Sequence, residues 1–270
     1  MSAEQRRSSP SGMAAEADRF DLYQRAVQNP EADIEIIERV FEETSGRFPL
    51  ALREDFAGTA LLCAEWVRSH PERWAVAVDL DPEPLEWGRR HNFTAAELER
   101  VDLVRADVRD VDRPAVEVFY APNFSFCGFE RRDELDRYLR LAHDVLEPHG
   151  IFLCDLYGGT EAIVPTTDER DCDGFTYIWE QESYNPITNQ TRGHIHFELA
   201  DGSRLDRAFS YEWRLWSIPE VRDSLEAAGF AESLVYWETV DDDGVGTGEF
   251  RQTEEEENQE GWLVYIFGVK

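Results

Sequence analysis

The chain has 270 residues, 42% of them hydrophobic, enough for one sizeable core in a single elaborated domain or a domain carrying an insertion. Its 57 Asp and Glu against 27 Lys and Arg give a formal charge of −30, a field that repels a phosphate backbone and makes nucleic acid a poor partner. No stretch approaches the roughly 18 continuous apolar residues of a membrane span, and the opening MSAEQRRSSPSGMAAEA has no apolar block after its arginines, so a cytoplasmic protein without a membrane partner is expected.

Residues 1–18 lack an apolar period and read as a disordered tail. Phe20, Tyr23 and Val27, then Ile34, Ile37, Val40 and Phe41, recur at helical spacing on either side of Asn29-Pro30 and predict an α-helical lid over residues 19–49. Leu50–Asp55 reads as a strand, Ala57–Ser69 as a helix and Trp74–Asp79 as a second strand. Pro82 then opens a helix to His91. Strands over Val101–Ala106, Val116–Ala121 and Ile151–Leu156 follow, the last two separated by an amphipathic helix over Glu130–Leu146. Strand and helix in this rhythm predict an α/β core over residues 50–157, a mostly parallel sheet with helices on both faces.

After Tyr157-Gly158-Gly159 the period changes from 3.6 to 2. Phe175, Tyr177 and Trp179, then Ile195, Phe197 and Leu199, then Phe209, Tyr211 and Trp213 alternate with polar neighbours, with turns at Asn185-Pro186 and Asp201-Gly202. Residues 158–216 therefore read as an antiparallel β insert, a cap on the core or a surface for a second copy of the chain in a homodimer. Ser217 caps a helix that Gly229 stops, and two last strands, Ala231–Thr239 and Trp262–Val269, flank an acidic loop expected to be mobile. The cysteines at 63, 127, 154 and 172 form no Cys-x-x-Cys pair and read as reduced and mostly core-filling. His194 and His196 share a strand face without a third ligand at recognisable spacing, so no metal is expected.

In an open parallel sheet, ligands bind beyond the carboxyl ends of the strands where strand order reverses. Three acids fall at such ends: Glu54 before the turn Asp55-Phe56-Ala57-Gly58-Thr59-Ala60, Asp79 before Leu80, and Asp107 before Val108. A carboxylate at Asp79 can accept both hydroxyls of a ribose and disfavours a 2′-phosphate. Asp107 with the next backbone N–H can bracket an adenine edge. The set has the shape of a nucleoside.

In these residues the chain resembles class I S-adenosylmethionine-dependent methyltransferases, which have a Rossmann-like fold. Glu54 and Gly58 match the acid and middle glycine of the first motif, acid then Gly-x-Gly-x-Gly, while Phe56 and Ala60 replace the outer glycines. The stretch Leu52–Ala60, with Tyr23–Glu31 upstream, looks like an uncharacterised bacterial branch with an E-D-F-x-G-T first motif. Val78-Asp79-Leu80-Asp81-Pro82 looks like the ribose motif, Asp107 the adenine motif, and Pro122-Asn123-Phe124-Ser125 the fourth-strand segment.

The resemblance implies S-adenosyl-L-methionine as cofactor, with Glu54, Phe56, Ala57, Gly58, Asp79, Leu80, Asp107, Val108, Asn123 and Tyr23 around it. It also implies in-line transfer of a methyl group to an acceptor expected to be a small molecule. Phe56 must then point away from the ligand. Asn123, Tyr157 and Arg214 are the candidates for work on the acceptor. Arg214 is expected on the opposite strand face from Tyr211 and Trp213, where it could reach a substrate carboxylate, while Tyr157, Trp179, Tyr211 and Trp216 either flank a cationic centre or close the core of the insert. An NAD-dependent oxidoreductase on the same sheet, and a non-catalytic cofactor-binding or interaction protein, remain alternatives.

Overall fold

The computed structural model describes residues 11–241 and 246–270. In chain order its elements are α1 (Arg19–Val27), α2 (Pro30–Ser45), β1 (Ala51–Asp55), α3 (Leu61–Ser69), β2 (Trp74–Asp79), α4 (Pro82–His91), β3 (Val101–Arg105), β4 (Val116–Ala121), α5 (Arg132–Val145) and β5 (Leu146–Gly158). There follow β6 (Thr166–Cys172), β7 (Phe175–Asn185), β8 (Gln190–Leu199), β9 (Arg204–Arg214), α6 (Ile218–Ala228), β10 (Glu232–Val240), β11 (Gly246–Gln252) and β12 (Trp262–Val269). They divide into two compact units, one of residues 29–162 and 214–270, the other of 163–213 with the chain up to Gln28. Among the described residues no helix is long and apolar enough to cross a membrane.

The larger unit holds an eight-stranded sheet in the order β11-β10-β12-β5-β4-β1-β2-β3. β1 pairs in parallel with β2 on one side and β4 on the other, β2 with β3, and β4 with β5. Strand order therefore reverses between β1 and β4, and open α/β sheets bind their ligands beyond the carboxyl ends of the strands at such a point. β12 runs antiparallel to both β5 and β10. Every residue of β1 and β4 is buried, as expected for strands with both faces covered.

On one face, Ile37, Val40 and Phe41 of α2 and Cys63, Trp66 and Val67 of α3 pack on Leu52, Val118, Ile151 and Leu153. Burial of each large side chain is worth roughly 1.5–3 kcal/mol. α2 starts where Asn29 accepts the Ala32 N–H and Pro30 takes the first turn, and it ends at Gly46 in the left-handed region. α6 has the capping box expected from Ser217 and Glu220 and stops at Gly229.

The smaller unit is a four-stranded antiparallel sheet, β6-β7-β8-β9, with α1 packed on it. Leu22 of α1 joins Phe175, Ile195, Phe197, Leu199 and Ala208 in its core, and Trp179, Tyr211 and Trp213 form a run of stacked rings. His194 and His196 are buried and engaged across strands, His194 with Ser210 (2.8 Å) and Glu182 (3.4 Å), His196 with Glu180 (3.0 Å) and Asp206 (3.4 Å).

Several boundaries differ from expectation. The helix after β1 begins at Leu61 instead of Ala57, because Phe56, Gly58 and Ala60 are in the left-handed region that a helix does not admit. The helical preface divides, α1 going with the smaller unit and α2 with the larger. Of the expected tail, residues 1–10 lie outside the described residues. Residues 12–15 form a 3-10 turn instead, with the Met13 N–H on Asp201 (2.9 Å) and the Ala14 N–H on Ser203 (2.9 Å). The acidic loop contains the strand β11, while residues 242–245 lie outside the described residues.

Candidate functional site

The turn after β1 keeps one backbone form at Phe56, Gly58 and Ala60 although only the middle residue is glycine. Phe56, Gly58 and Ala60 have φ of 54°, 54° and 53°, so all three glycine positions keep the left-handed backbone. Only Gly58 adopts it without the steric penalty of a Cβ. A Cβ added there would meet nothing within 4 Å, so the backbone at Gly58 borders open space. The Phe56 ring turns instead toward Phe129 and Tyr138, with centroids at 5.8 and 5.9 Å. Ala57 donates its N–H to the Val78 carbonyl (3.1 Å), tying the turn to β2. Behind it α4 packs so closely that a Cβ on Gly88 would lie 2.0 Å from the Thr59 carbonyl oxygen, so the tight helix contact needs glycine there.

Asp79 ends β2 and braces this turn. One carboxylate oxygen accepts the Gly58 N–H (2.7 Å) and the other the Asp81 N–H (2.8 Å). Burial raises its pKa against those hydrogen bonds. Leu80, next to it, is 67% exposed, an apolar side chain largely open to solvent. Asp107 ends the β3 segment and is paired with Arg109 (2.9 and 2.7 Å), whose hydrogen bonds lower its pKa. The Val108 side chain is buried, and its N–H has no acceptor among the described residues.

Glu54 is 1% exposed, on the face of β1 toward α3, and accepts the Cys63 N–H (3.2 Å). Desolvation raises its pKa to about 8, assisted by the charges of Asp33 and Asp79. Two further acids share this environment. Asp33, in the first turn of α2, accepts the hydroxyls of Tyr120 (3.1 Å) and Tyr265 (2.7 Å) on one oxygen, and burial raises it to about 6. Asp155 on β5 accepts the N–H groups of Asn123 (2.9 Å) and Phe124 (2.8 Å), and burial raises it to about 7. Asn123 and Phe124 are both left-handed, φ 56° and 58°, so Asp155 holds the fourth-strand turn in a strained form. Among the described residues no Arg, Lys or His forms an ion pair with Asp33, Glu54, Asp79 or Asp155.

The structure thus brings Glu54, Phe56, Ala57, Gly58, Asp79, Leu80, Asp107, Val108 and Asn123 to the carboxyl ends of β1 to β4. Tyr157 belongs to the same unit and packs edge-on against Phe124 (4.8 Å). Arg214 is engaged elsewhere in that unit: it pairs with Glu220 (3.0 Å), donates to the Glu130 carbonyl (3.1 Å) and lies 3.7 Å over the Trp216 ring. Tyr23, Trp179 and Tyr211 belong to the smaller unit. A cavity of about 670 Å³ between α6, β10 and residues 253–256 is lined by none of the candidate residues.

Asp33, Arg53, Asp55, Tyr120, Asp155 and Tyr265 were not apparent from sequence. Their common signal is polarity out of place. Asp33 lies on the stripe of Ile37 and Val40, while Arg53, Asp55 and Asp155 interrupt apolar strands.

Neither a protein-family model nor a curated protein sequence matches this chain. Solved structures do. The sugar N-methyltransferase KedS8 from Streptoalloteichus sp aligns at 20% identity over 100% of this chain and 98% of its own, with a TM-score of 0.63. DesVI from Streptomyces venezuelae aligns at 18% over 94% and 98%, with a TM-score of 0.66. The fold is that of class I S-adenosylmethionine-dependent methyltransferases. A third neighbour, CalS10, an amino pentose methyltransferase from Micromonospora echinaspora solved with S-adenosylmethionine bound, aligns at 14% over 92% and 95%, with a TM-score of 0.64.

Proposed function

We propose that the chain is an S-adenosylmethionine-dependent methyltransferase acting on a small-molecule acceptor. The observation that carries this reading is the set of crowded carboxylates, Glu54, Asp79 and Asp155 on the strands and Asp33 in the first turn of α2, which among the described residues form no ion pair with a protein cation. Charge of one sign in a desolvated place is costly, and a ligand carrying positive charge relieves it. Bound there, S-adenosylmethionine would supply a sulfonium methyl group: a lone pair of the acceptor attacks the methyl carbon in line as its bond to sulfur breaks, and S-adenosylhomocysteine leaves as a neutral thioether.

The roles of the residues follow from their positions. Asp79 takes the ribose hydroxyls with its remaining lone pairs. Asp107 and the unpartnered Val108 N–H take the adenine edge, and the exposed Leu80 takes its face. Glu54 and Asp33 attract the ammonium of the methionine part. Asn123, held by Asp155, faces the acceptor, and holding two reactants in register accounts for most of the acceleration such a displacement needs. The amino-sugar acceptors in the names of two solved neighbours support a small polar acceptor here as well.

A nicotinamide dinucleotide fits less well, because its pyrophosphate would bring negative charge into a crevice already rich in unpaired acids. Calorimetry with S-adenosylmethionine, S-adenosylhomocysteine and NAD tests the reading. The sulfonium cofactor and its product are expected to bind and NAD is not; the reverse order would defeat it. Labelled-methyl transfer into a low-mass metabolite pool then distinguishes an enzyme from a cofactor-binding protein without turnover.

A further inference from the structure

Along β1 the side chains alternate, so Leu52 and Glu54 face α3 while Arg53 and Asp55 share the opposite face. Arg53 and Asp55 are both fully buried and joined by two hydrogen bonds, Nε to Oδ1 at 2.7 Å and Nη2 to Oδ2 at 3.1 Å. The guanidinium lies 4.5 Å over the ring of Phe119 on β4. Its other donors leave the strand: Nη2 reaches the Val108 carbonyl (2.9 Å) and Nη1 the Val111 carbonyl. β2 separates β1 from β3 in the sheet, so this one side chain ties the connection that follows β3 to the middle of the sheet.

Stability alone does not explain such a pair. Desolvation offsets the attraction between buried charges, and well-packed apolar residues in their place are often neutral or stabilising. Asp55 shows the cost, its pKa raised by burial to about 6 despite the adjacent guanidinium. What the pair does is fix a turn. Asp107 caps the short 3-10 turn Val108–Asp110 through the Arg109 N–H (2.9 Å), and Arg53 anchors the carbonyls of Val108 and Val111 behind it.

We infer that the Arg53 and Asp55 pair is the positioning element for the purine end of the crevice, holding the Asp107 carboxylate and the Val108 N–H in register on one purine edge. The inference rests on the cofactor reading above. An acceptor beside a donor matches adenine, which offers an N6 amino donor and an N1 acceptor, and opposes hypoxanthine, which offers an O6 acceptor and an N1–H donor. The pair touches no ligand itself; it sets specificity through the turn.

The experiment compares S-adenosylhomocysteine with S-inosylhomocysteine by calorimetry, together with melting temperatures, on wild type, R53M/D55L and R53K. The apolar double substitution leaves no buried charge unpaired, so its melting temperature is expected within a few degrees of wild type. Wild type is expected to prefer the adenine ligand by about 30-fold and the double variant by less than about 5-fold. R53K, which keeps the charge but not the fork, is expected between them and covers the case in which the double variant does not fold. An unchanged ratio in the variants, or a wild type that does not tell the purines apart, overturns the inference and leaves the cofactor reading standing. A wild type that binds neither ligand defeats the cofactor reading, and the inference with it.

Discussion

Asp107 and Glu54 end strands two apart in one sheet, yet the protein treats their charges in opposite ways. Asp107 is paired with Arg109, which keeps its carboxyl below the usual range, and Arg53 beneath it pairs with Asp55. Around Glu54 the acids Asp33 and Asp155 receive only neutral donors, and all three are pushed up. On the proposed reading, the half around Asp107 takes the purine, is electrostatically complete without ligand, and reads a neutral edge by hydrogen bonds. The half around Glu54 would take the methionine part, and its unpaired acids would select positive charge. A crevice divided this way needs little from a glycine loop, since no phosphate has to approach the backbone.

Asp79 stands where the halves meet, so Asp79→Ala is expected to have the largest effect. Losing the ribose contacts and the clamp on the Gly58 N–H together should weaken S-adenosylhomocysteine binding about 100-fold, two charged hydrogen bonds' worth, by calorimetry. An effect below about 5-fold would mean that Asp79 only orients the turn.

Glu54→Gln separates the halves. Removing an uncompensated acid should weaken S-adenosylmethionine binding about tenfold while raising the melting temperature of the free protein at pH 8. Asp107→Asn should lower the melting temperature, because its charge is paired. The pH dependence follows the same sign. Burial raises Asp33, Glu54 and Asp155 above their ordinary values, to about 6 from 3.8, about 8 from 4.5 and about 7 from 3.8. The folded protein therefore holds more protons than the unfolded chain, and these groups withdraw stability as pH rises from about 4 to about 8. Thermal melts of the free protein across that range should show the loss, and Glu54→Gln should reduce it. The smallest effect belongs to the turn: Ala60→Gly should stabilise by about 1 kcal/mol in denaturant unfolding by relieving a left-handed alanine. Destabilisation there would show that the methyl group's packing outweighs the strain.

The legible features were those with a period or a fixed place. Alternation of strand and helix was enough for the parallel sheet, and Glu54, Asp79 and Asp107 could be placed because each lies within two residues of the carboxyl end of its strand. The strands β6 and β11 escaped for one physical reason: each is an edge strand, rich in charged or small polar residues, and edges are kept polar against pairing with other chains. Asp33, Asp155 and the Arg53 and Asp55 pair escaped because a charge inside an apolar element looks like an exception to the pattern until its partners are visible. The start of α3 was misplaced because Ala57 and Thr59 fit a helical period, while left-handed backbone at Phe56 and Ala60 carries no signature in residues other than glycine.

The central claim is that the methionine half is a cation site holding protons until its ligand arrives. Calorimetric titration of the free protein with S-adenosylmethionine at pH 7.5, in buffers of different ionisation enthalpy, tests it most directly. The account predicts release of about one proton per cofactor and affinity that rises with pH from about 6 to 8. Binding with no proton release and no dependence on pH over that range would contradict it.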